Sequence, residues 1–502
     1  MEKNYTLTKT SILSGIQCEK KLWFDLNQEN QWKDKALYRA GNRFGEVVRN
    51  HYGNGLNLSN EKDLKTALDK TNEAANSDEI KVIYEGAFLY QKTYIRADVL
   101  IKKNNQWTLL EAKSATKVKD INIFDIAIQS FIIKKSGLDL NSTKLIHINN
   151  EFLYKGNLDY SNLIKEKDLT NDVLDKEKEI EDLIKKFNKI IINKCPDIEP
   201  GKQCKTPYPC HYLEQCLPLE TDIKRVSYQI LPYHGKKLDE FCKKNNISKL
   251  VDVPKEELQA NRKDYAKDFH YIIQQSHKNN TYWINKDIKE NFKDWNWPYY
   301  FMDFETVQQT VPIIKNTTPF EQLPFQWSLH RWDSDDSELK EFSFLDFNSE
   351  NIEINFLNEL IQALEDKGTI FVHNHPFEKG VLNRLKDKPN LSHFKKDVDN
   401  IINRIVDTLF LTRQNFYGPQ MLGKYSLKNI VKAIPTDIKY ESTDDQSVSD
   451  GSDAQLAWFI CTDPTSKEED KSRQRKELIE YCAKDTKAMY DLIKFFMREN
   501  PS

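Results

Sequence analysis

Thr93-Tyr-Ile-Arg-Ala-Asp98-Val-Leu-Ile-Lys-Lys103-Asn-Asn105-Gln-Trp-Thr-Leu-Leu-Glu111-Ala-Lys113 reads as two strands about a tight turn. Both halves are rich in branched and aromatic residues, and Asn104-Asn105 tolerates the positive φ that a two-residue hairpin loop demands. With those two residues as the loop, Asp98 faces Glu111, their Cβ atoms ~5 Å apart on one face. Lys113 lies two residues beyond Glu111 and points to the same side. Directly opposed like charges destabilise a sheet unless a positive charge joins them. A divalent cation held by the two carboxylates would supply it, with Lys113 steadying a developing negative charge. The alternative is a charged solvent face of a meander. Around this hairpin, Lys81–Gln91 reads as a preceding strand carrying Glu85, and Asp125-Ile-Ala-Ile-Gln129-Ser-Phe131 as the start of an amphipathic helix carrying Gln129.

The chain has 502 residues, enough for two to four domains. Its aromatic content of 11% is too high for a disordered chain. With 74 basic and 77 acidic residues the net charge is only -3, so no global field marks a nucleic-acid or membrane binder. No stretch approaches the ~20 apolar residues of a membrane span, and the N-terminus has no secretory pattern, which predicts a cytoplasmic protein without a membrane partner. Punctuation near Cys195–Pro218 and at Trp295-Asn-Trp-Pro298 divides the chain into 1–220, 221–297 and 298–502. The middle block reads as a helical connector, with helices expected over Lys236–Lys244 and Glu256–Gln275. Its run from Leu238 to Val253-Pro254 hints at a helix–hairpin–helix-like pair.

In order and type, Asp98, Glu111, Lys113 and Gln129 resemble the site of the PD-(D/E)xK superfamily, specifically its RecB-like nucleases. The resemblance implies a restriction-endonuclease-like domain whose acids, Asp98 and Glu111, bind Mg²⁺ or Mn²⁺ for phosphodiester hydrolysis. Many relatives carry a histidine on the first helix; here Gly45 and Glu46 stand there, which makes Glu46 a candidate for the metal side or a surface residue.

Three of the eight cysteines, Cys204, Cys210 and Cys216, are spaced by five residues each, and Cys18 is the best fourth member. Alone, this spacing fits neither a zinc ribbon nor a ferredoxin pattern, and partly buried free thiols are the other reading. RecB-like nucleases of the CRISPR-associated and AddB types place one cysteine near the start of the nuclease domain and three just after it. That resemblance implies a [4Fe–4S] cluster clasping the two ends, with zinc as the alternative and Cys195 as a substitute ligand.

The third block opens with Tyr299-Tyr-Phe-Met-Asp303-Phe-Glu305-Thr306, a buried strand with both acids on one face. Burying two carboxylates costs several kcal/mol each unless a cation joins them. Thr369–Val372 reads as another strand, running through His373-Asn374-His375 into a helix at Pro376 with Glu378 in its first turn. Over Arg475–Met497, the residues Leu478, Cys482, Met489, Leu492 and Phe496 form an apolar stripe that includes Asp485, with Tyr481 one turn earlier. Asp303, Glu305, Glu378, Tyr481 and Asp485 resemble the DEDDy branch of DnaQ-like 3′–5′ exonucleases. This implies a ribonuclease-H-like fold whose four acids hold two Mg²⁺ or Mn²⁺ ions while the tyrosine orients water. Position 378 is usually aspartate in that family, and Asp407 is a candidate to share its work; His373 and His375 read as loop residues or phosphate contacts. The expected architecture is thus α/β and multidomain: two nuclease domains joined by a small helical segment. The expected substrate is DNA with single-stranded ends. RNA trimming, or a nucleic-acid-binding scaffold with one inactive site, are the rivals.

Overall fold

The computed structural model of the chain describes residues 7–28, 35–192, 194–216, 226–347, 350–440, 448 and 451–499. It is an α/β multidomain protein that divides into two compact units. One comprises Met1–Leu217 with Gln309–Glu321, the other Pro218–Gln308 with Gln322–Ser502. No helix among the described residues is long and apolar enough to cross a membrane.

The first unit is built on one mixed sheet. Its strands are β1 (Leu7–Thr8), β2 (Leu56–Asn57), β3 (Val82–Tyr90), β4 (Thr93–Lys103), β5 (Gln106–Lys113), β6 (Leu140–Ile148) and β7 (Ile164–Asp168). The order is β2-β3-β4-β5-β6-β7, with β1 paired to β4. The β4–β5 hairpin turns on Asn104 and Asn105, at φ 51° and 59°, and pairs Val99 with Leu110. β5 and β6 are parallel, and the crossover between them is the helix Asp120–Lys135. That helix is not amphipathic: every residue from Asp125 to Ile133 is buried. It lies between the sheet and the helix Thr170–Ile192, and Ile126, Ile132 and Ile133 share a core with Leu100, Leu109, Ile180 and Ile184. The other face of the sheet packs Tyr84, Val99 and Leu110 against Phe44 and Val48 of the helix Lys35–Tyr52.

Core alternation in β3 and β4 changes phase midway. Ile83 and Phe88 share one core, as do Ile95, Ala97 and Leu100, although strict alternation would put each set on both faces. The change falls at Glu85, whose φ of 56° is left-handed, and at Asp98 opposite it. A bulky residue in this region costs about 1 kcal/mol or more.

The second unit contains β8 (Trp283–Ile284), β9 (Tyr299–Gln308), β10 (Gln322–Trp332), β11 (Leu339–Leu345), β12 (Thr369–Val372), β13 (Ile405–Asp407) and β14 (Phe416–Tyr417). The main sheet runs β11-β10-β9-β12-β13, its first three strands antiparallel and β12 and β13 parallel to β9. Tyr300, Met302 and Phe304 of β9 enter a core with the helices Ile352–Leu364, Pro376–Lys386 and Lys395–Asn403. The opposite face, with Tyr299 and Phe301, packs on the C-terminal helix Glu468–Arg498 through Met489, Leu492 and Phe496.

The middle block differs from the expected connector. Leu238, Cys242, Leu250, Phe269 and Ile273 belong to that same second core. Gly423, at φ 75°, closes against the carbonyl oxygen of Ile230, where any Cβ would collide. The helix expected over Glu256–Gln275 runs instead from Phe269 to Asn279, beginning after a left-handed Asp268. Upstream of it the backbone is spent on tertiary contacts, as in the Ala266 N–H donated to the Arg413 carbonyl at 3.0 Å. Gly235–Lys244 forms the other helix of this block.

Candidate functional sites

In the first unit, the β4–β5 ladder ends at Val99–Leu110, while β5 continues to Lys113 along β6. Asp98 and Glu111 therefore do not form the laddered pair expected of them; the strands part there. Asp98 Oδ2 accepts the Ala112 N–H at 2.8 Å in place of a backbone partner. Glu111 is 1% exposed. Its Oε1 accepts from Lys113 Nζ and from Lys9 Nζ, each at 2.7 Å, and its Oε2 from Gln129 Nε2 at 2.7 Å. Asp125, one turn before Gln129, accepts from Lys113 at 2.5 Å and from Gln129 at 3.0 Å. Asp98, Glu111 and Lys113 line a cavity of about 260 Å³ together with Lys9, Glu85 and Gly45. Gln129 stands behind it, fully buried. Burial opposes the charge on Lys113, but Glu111 and Asp125 outweigh it and hold the ammonium well above its usual range. Burial, aided by Glu111, raises the Glu85 carboxyl.

Sequence reasoning missed Lys9 and Asp125. Asp125 was legible as the residue one helical turn before Gln129; Lys9, 102 residues from Glu111, carried no local signal. Glu46 is exposed and does not line the cavity.

Cys18, Cys204, Cys210 and Cys216 all line one small pocket, with Lys20 and Lys21 beside them. Cys18 ends the helix Lys9–Gln17, and Gln17 Nε2 donates to the carbonyls of Gln203 and Tyr208 at 2.8 and 2.7 Å. These bonds join the first helix to the three-cysteine segment. Burial pushes the Cys210 and Cys216 thiols up, while Lys21 and Lys20 respectively act the other way. Among the described residues no three His, Cys, Asp or Glu side chains are grouped so that they could hold a metal ion. Cys195 is outside the pocket lining.

In the second unit, alternation along β9 puts Asp303 and Glu305 on the Tyr299–Phe301 side, facing the C-terminal helix that carries Tyr481 and Asp485. Burial, then the Asp485 charge, pushes the Asp303 carboxyl well above its usual range. Cys482 Sγ donates to Asp303 Oδ2 at 3.5 Å. Asp485 is also raised by burial, against the opposing bond from Tyr440, whose hydroxyl donates to Asp485 Oδ1 at 2.5 Å. Glu378 sits in the first turn of the helix Pro376–Lys386, 1% exposed, and its carboxyl is raised by burial and then by Asp303. Its Oε2 has no hydrogen-bond partner among the described residues. Tyr481 is buried, its hydroxyl raised first by burial and then by Asp485, Glu305 and Asp303. Lys428 lies over the rings of Tyr440 and Tyr481, at 5.9 and 5.8 Å from their centroids. Neither Tyr440 nor Lys428 carried a sequence signal.

Asp407 acts on Glu378 through its charge, while its hydrogen bonds go to other groups. It accepts from His375 Nδ1 at 2.7 Å and from the N–H groups of Asn374 and Leu409 at 3.0 and 2.9 Å. These bonds hold its carboxyl below the usual range despite burial. His373 is a half-buried loop residue bonded to Thr408 Oγ1 and the Tyr425 carbonyl, its pKa pushed down by desolvation to about 4.

Residues 300–426 match a family described as a domain of unknown function (DUF2779). The matched stretch contains Asp303, Glu305 and Glu378 and ends before Tyr481 and Asp485. An uncharacterized protein of Mycoplasma genitalium (MG366) is 25% identical over 212 residues, covering 39% of this chain and 31% of that protein. Its Mycoplasma pneumoniae homolog is 26% identical over 216 residues, covering 40% of this chain and 32% of its own. The chain thus spans about a third of the length of the curated relatives it matches.

Proposed function

We propose that this chain is a metal-dependent nuclease with two phosphodiesterase sites, acting on DNA, and that the second site is a 3′–5′ exonuclease. One observation carries the reading. Asp303, Glu378 and Asp485, drawn from a central strand and two helices, all carry carboxyls raised first by burial, with the Asp485 charge adding to the shift of Asp303 and the Asp303 charge to that of Glu378. Such a cluster is stable in its charged form only around cations. The β11-β10-β9-β12-β13 order, antiparallel then parallel, supports a ribonuclease-H-like fold for this unit. Three antiparallel strands, a buried crossover helix and a parallel fourth strand support a PD-(D/E)xK fold for the first.

When bound, a pair of divalent cations would stabilise the attacking and leaving oxygens of an in-line displacement. The acids of each unit fit that role as hard oxygen donors. Asp303, Glu305, Glu378 and Asp485 would hold the cations of the second unit, and Asp98 and Glu111 that of the first. Tyr481 presents a hydroxyl kept protonated beside these acids, suited to orienting a water. Tyr440 fixes the rotamer of Asp485. In the first unit, Lys113 directs an ammonium into the cavity beside Glu111, and Gln129 holds Glu111 from behind.

The test uses the full chain carrying Glu111→Gln, with a 5′-labelled single strand of DNA or RNA and Mn²⁺. A ladder of shortened, still-labelled products is expected from DNA. Tyr481→Phe in that background should slow it roughly 10²–10⁴-fold. Immediate release of labelled mononucleotide would reverse the polarity. Trimming of RNA alone would replace the substrate, and binding without cutting would leave a scaffold.

The cysteine pocket belongs to the same proposal. Four cysteines lining one pocket, with two lysines beside them, would suit a thiophilic and anionic centre, a [4Fe–4S] cluster or, alternatively, zinc. Anaerobically prepared protein is expected to carry about four irons per chain and to absorb broadly near 400 nm. Cys18→Ser should lose the metal. One zinc and no iron would keep the clasp and discard the cluster; neither metal would discard both.

A further inference from the structure

Where β4 and β5 part, the freed edge of β4 is taken by β1, with Leu7 and Thr8 in parallel register with Thr93 and Tyr94. Leu7 is fully buried. Thr8 caps the next helix, its Oγ1 accepting the Ser11 N–H at 3.2 Å. The next residue, Lys9, is thereby fixed in the first turn of a helix, where the macrodipole disfavours a cation. What compensates lies in front of it: Glu111 Oε1 at 2.7 Å and Asp125 Oδ1 at 3.7 Å. A local rule broken at a site is commonly broken for function.

Three donors already share the two oxygens of Glu111, so an incoming cation competes with them for its lone pairs. Lys113 is anchored a second time, by Asp125 at 2.5 Å. Gln129 is fully buried and also tied to Asp125 at 3.0 Å. Lys9 has its second acid only at 3.7 Å, beyond hydrogen-bond range, so it is the less firmly anchored of the two lysines. Lys9 is the donor that can yield.

We propose that Lys9 is a resident counter-cation of the first site: it occupies the place a divalent ion takes on Glu111, the two compete, and Lys9 sets how tightly that site holds metal. This rests on the reading of the first site as cation-dependent. With Lys9 in place, two ammonium groups offset the charges of Glu111 and Asp125 in the metal-free site. A divalent ion held on Glu111 would displace the Lys9 ammonium toward solvent.

The test is Mn²⁺ binding by calorimetry on the full chain carrying Asp303→Asn, which removes a ligand of the second site. A further Glu111→Gln change provides the blank. Lys9→Met is expected to tighten Mn²⁺ binding at the first site about tenfold or more, because a competing charge is gone. Lys9→Arg keeps the charge and should stay near the parent. A purely structural lysine would give the opposite pattern, with Lys9→Met weakening the site. In the protein with Lys9 intact, amine labelling read by mass spectrometry should show Lys9 becoming reactive as Mn²⁺ is added, and this requires no variant to fold. Equal or weaker Mn²⁺ binding by Lys9→Met, or Lys9 labelling indifferent to bound Mn²⁺, overturns the proposal while Glu111-dependent binding preserves the site. Binding that survives Glu111→Gln unchanged overturns both.

Discussion

Asp303→Asn is expected to bring 3′ trimming by the full chain down by at least about 10³-fold and, at the same time, to make the metal-free protein more stable. The loss follows from the position of Asp303, on the central strand, where the Asp485 charge acts on it and its own charge acts on Glu378. The gain in stability follows from the sign of its shift. The folded carboxyl is raised above its unfolded value of ~3.9, so folding favours the protonated form. Its contribution to stability is complete below that value and is lost as pH rises through the folded pKa. Asparagine carries no such loss at pH 7. The melting temperature of the variant should exceed that of the parent at pH 7 without metal, and the difference should shrink toward pH 4. Divalent ions should narrow it too, because they stabilise the parent alone. A variant that trims at the parental rate removes Asp303 from the site.

Glu111→Gln should abolish the activity of the first site and, unlike Asp303→Asn, lower stability. The two carboxylates look alike in sequence, yet their surroundings are opposite. Glu111 is met by two lysines and an amide, all in hydrogen-bond range. Neutralising it leaves Lys9 and Lys113 to share Asp125. Breaking a buried pair by removing one partner costs roughly 3–5 kcal/mol. Lys9 and Lys113 keep 22% and 26% of their side chains exposed, so solvent screening brings the expected cost to the lower end or below. The sequence suggested a like-charge pair whose removal would be harmless or helpful; the lysine from the first helix reverses that sign. Thermal melts of the two variants side by side check both statements. A Glu111→Gln protein as stable as its parent would contradict the charge arrangement around Lys9.

What was legible in the sequence was local. Asn104-Asn105 fixed the hairpin register because a two-residue loop leaves one way to pair the strands. The i, i+4 spacing brought Tyr481 and Asp485 to one side of their helix, and alternation set Asp303 beside Glu305. The unread residues came from elsewhere in the chain. Lys9 reaches Glu111 only because β4 and β5 separate and β1 fills the gap. Tyr440 reaches Asp485 across 45 residues, from a stretch without periodicity. The helix expected over Glu256–Gln275 failed for a related reason: its first half makes tertiary bonds that helix propensity cannot anticipate.

The shared core of the second unit has a consequence for dissecting the protein. Leu250, Phe269 and Ile273 lie on one side of residue 298, and Phe416, Leu492 and Phe496 on the other, all in one apolar cluster. A protease cut or a cloned boundary at 298 would strip this cluster of about half its wall and leave a broad greasy face in water. The parts of the second unit on either side of residue 298 are then expected to unfold together, because one apolar cluster joins them.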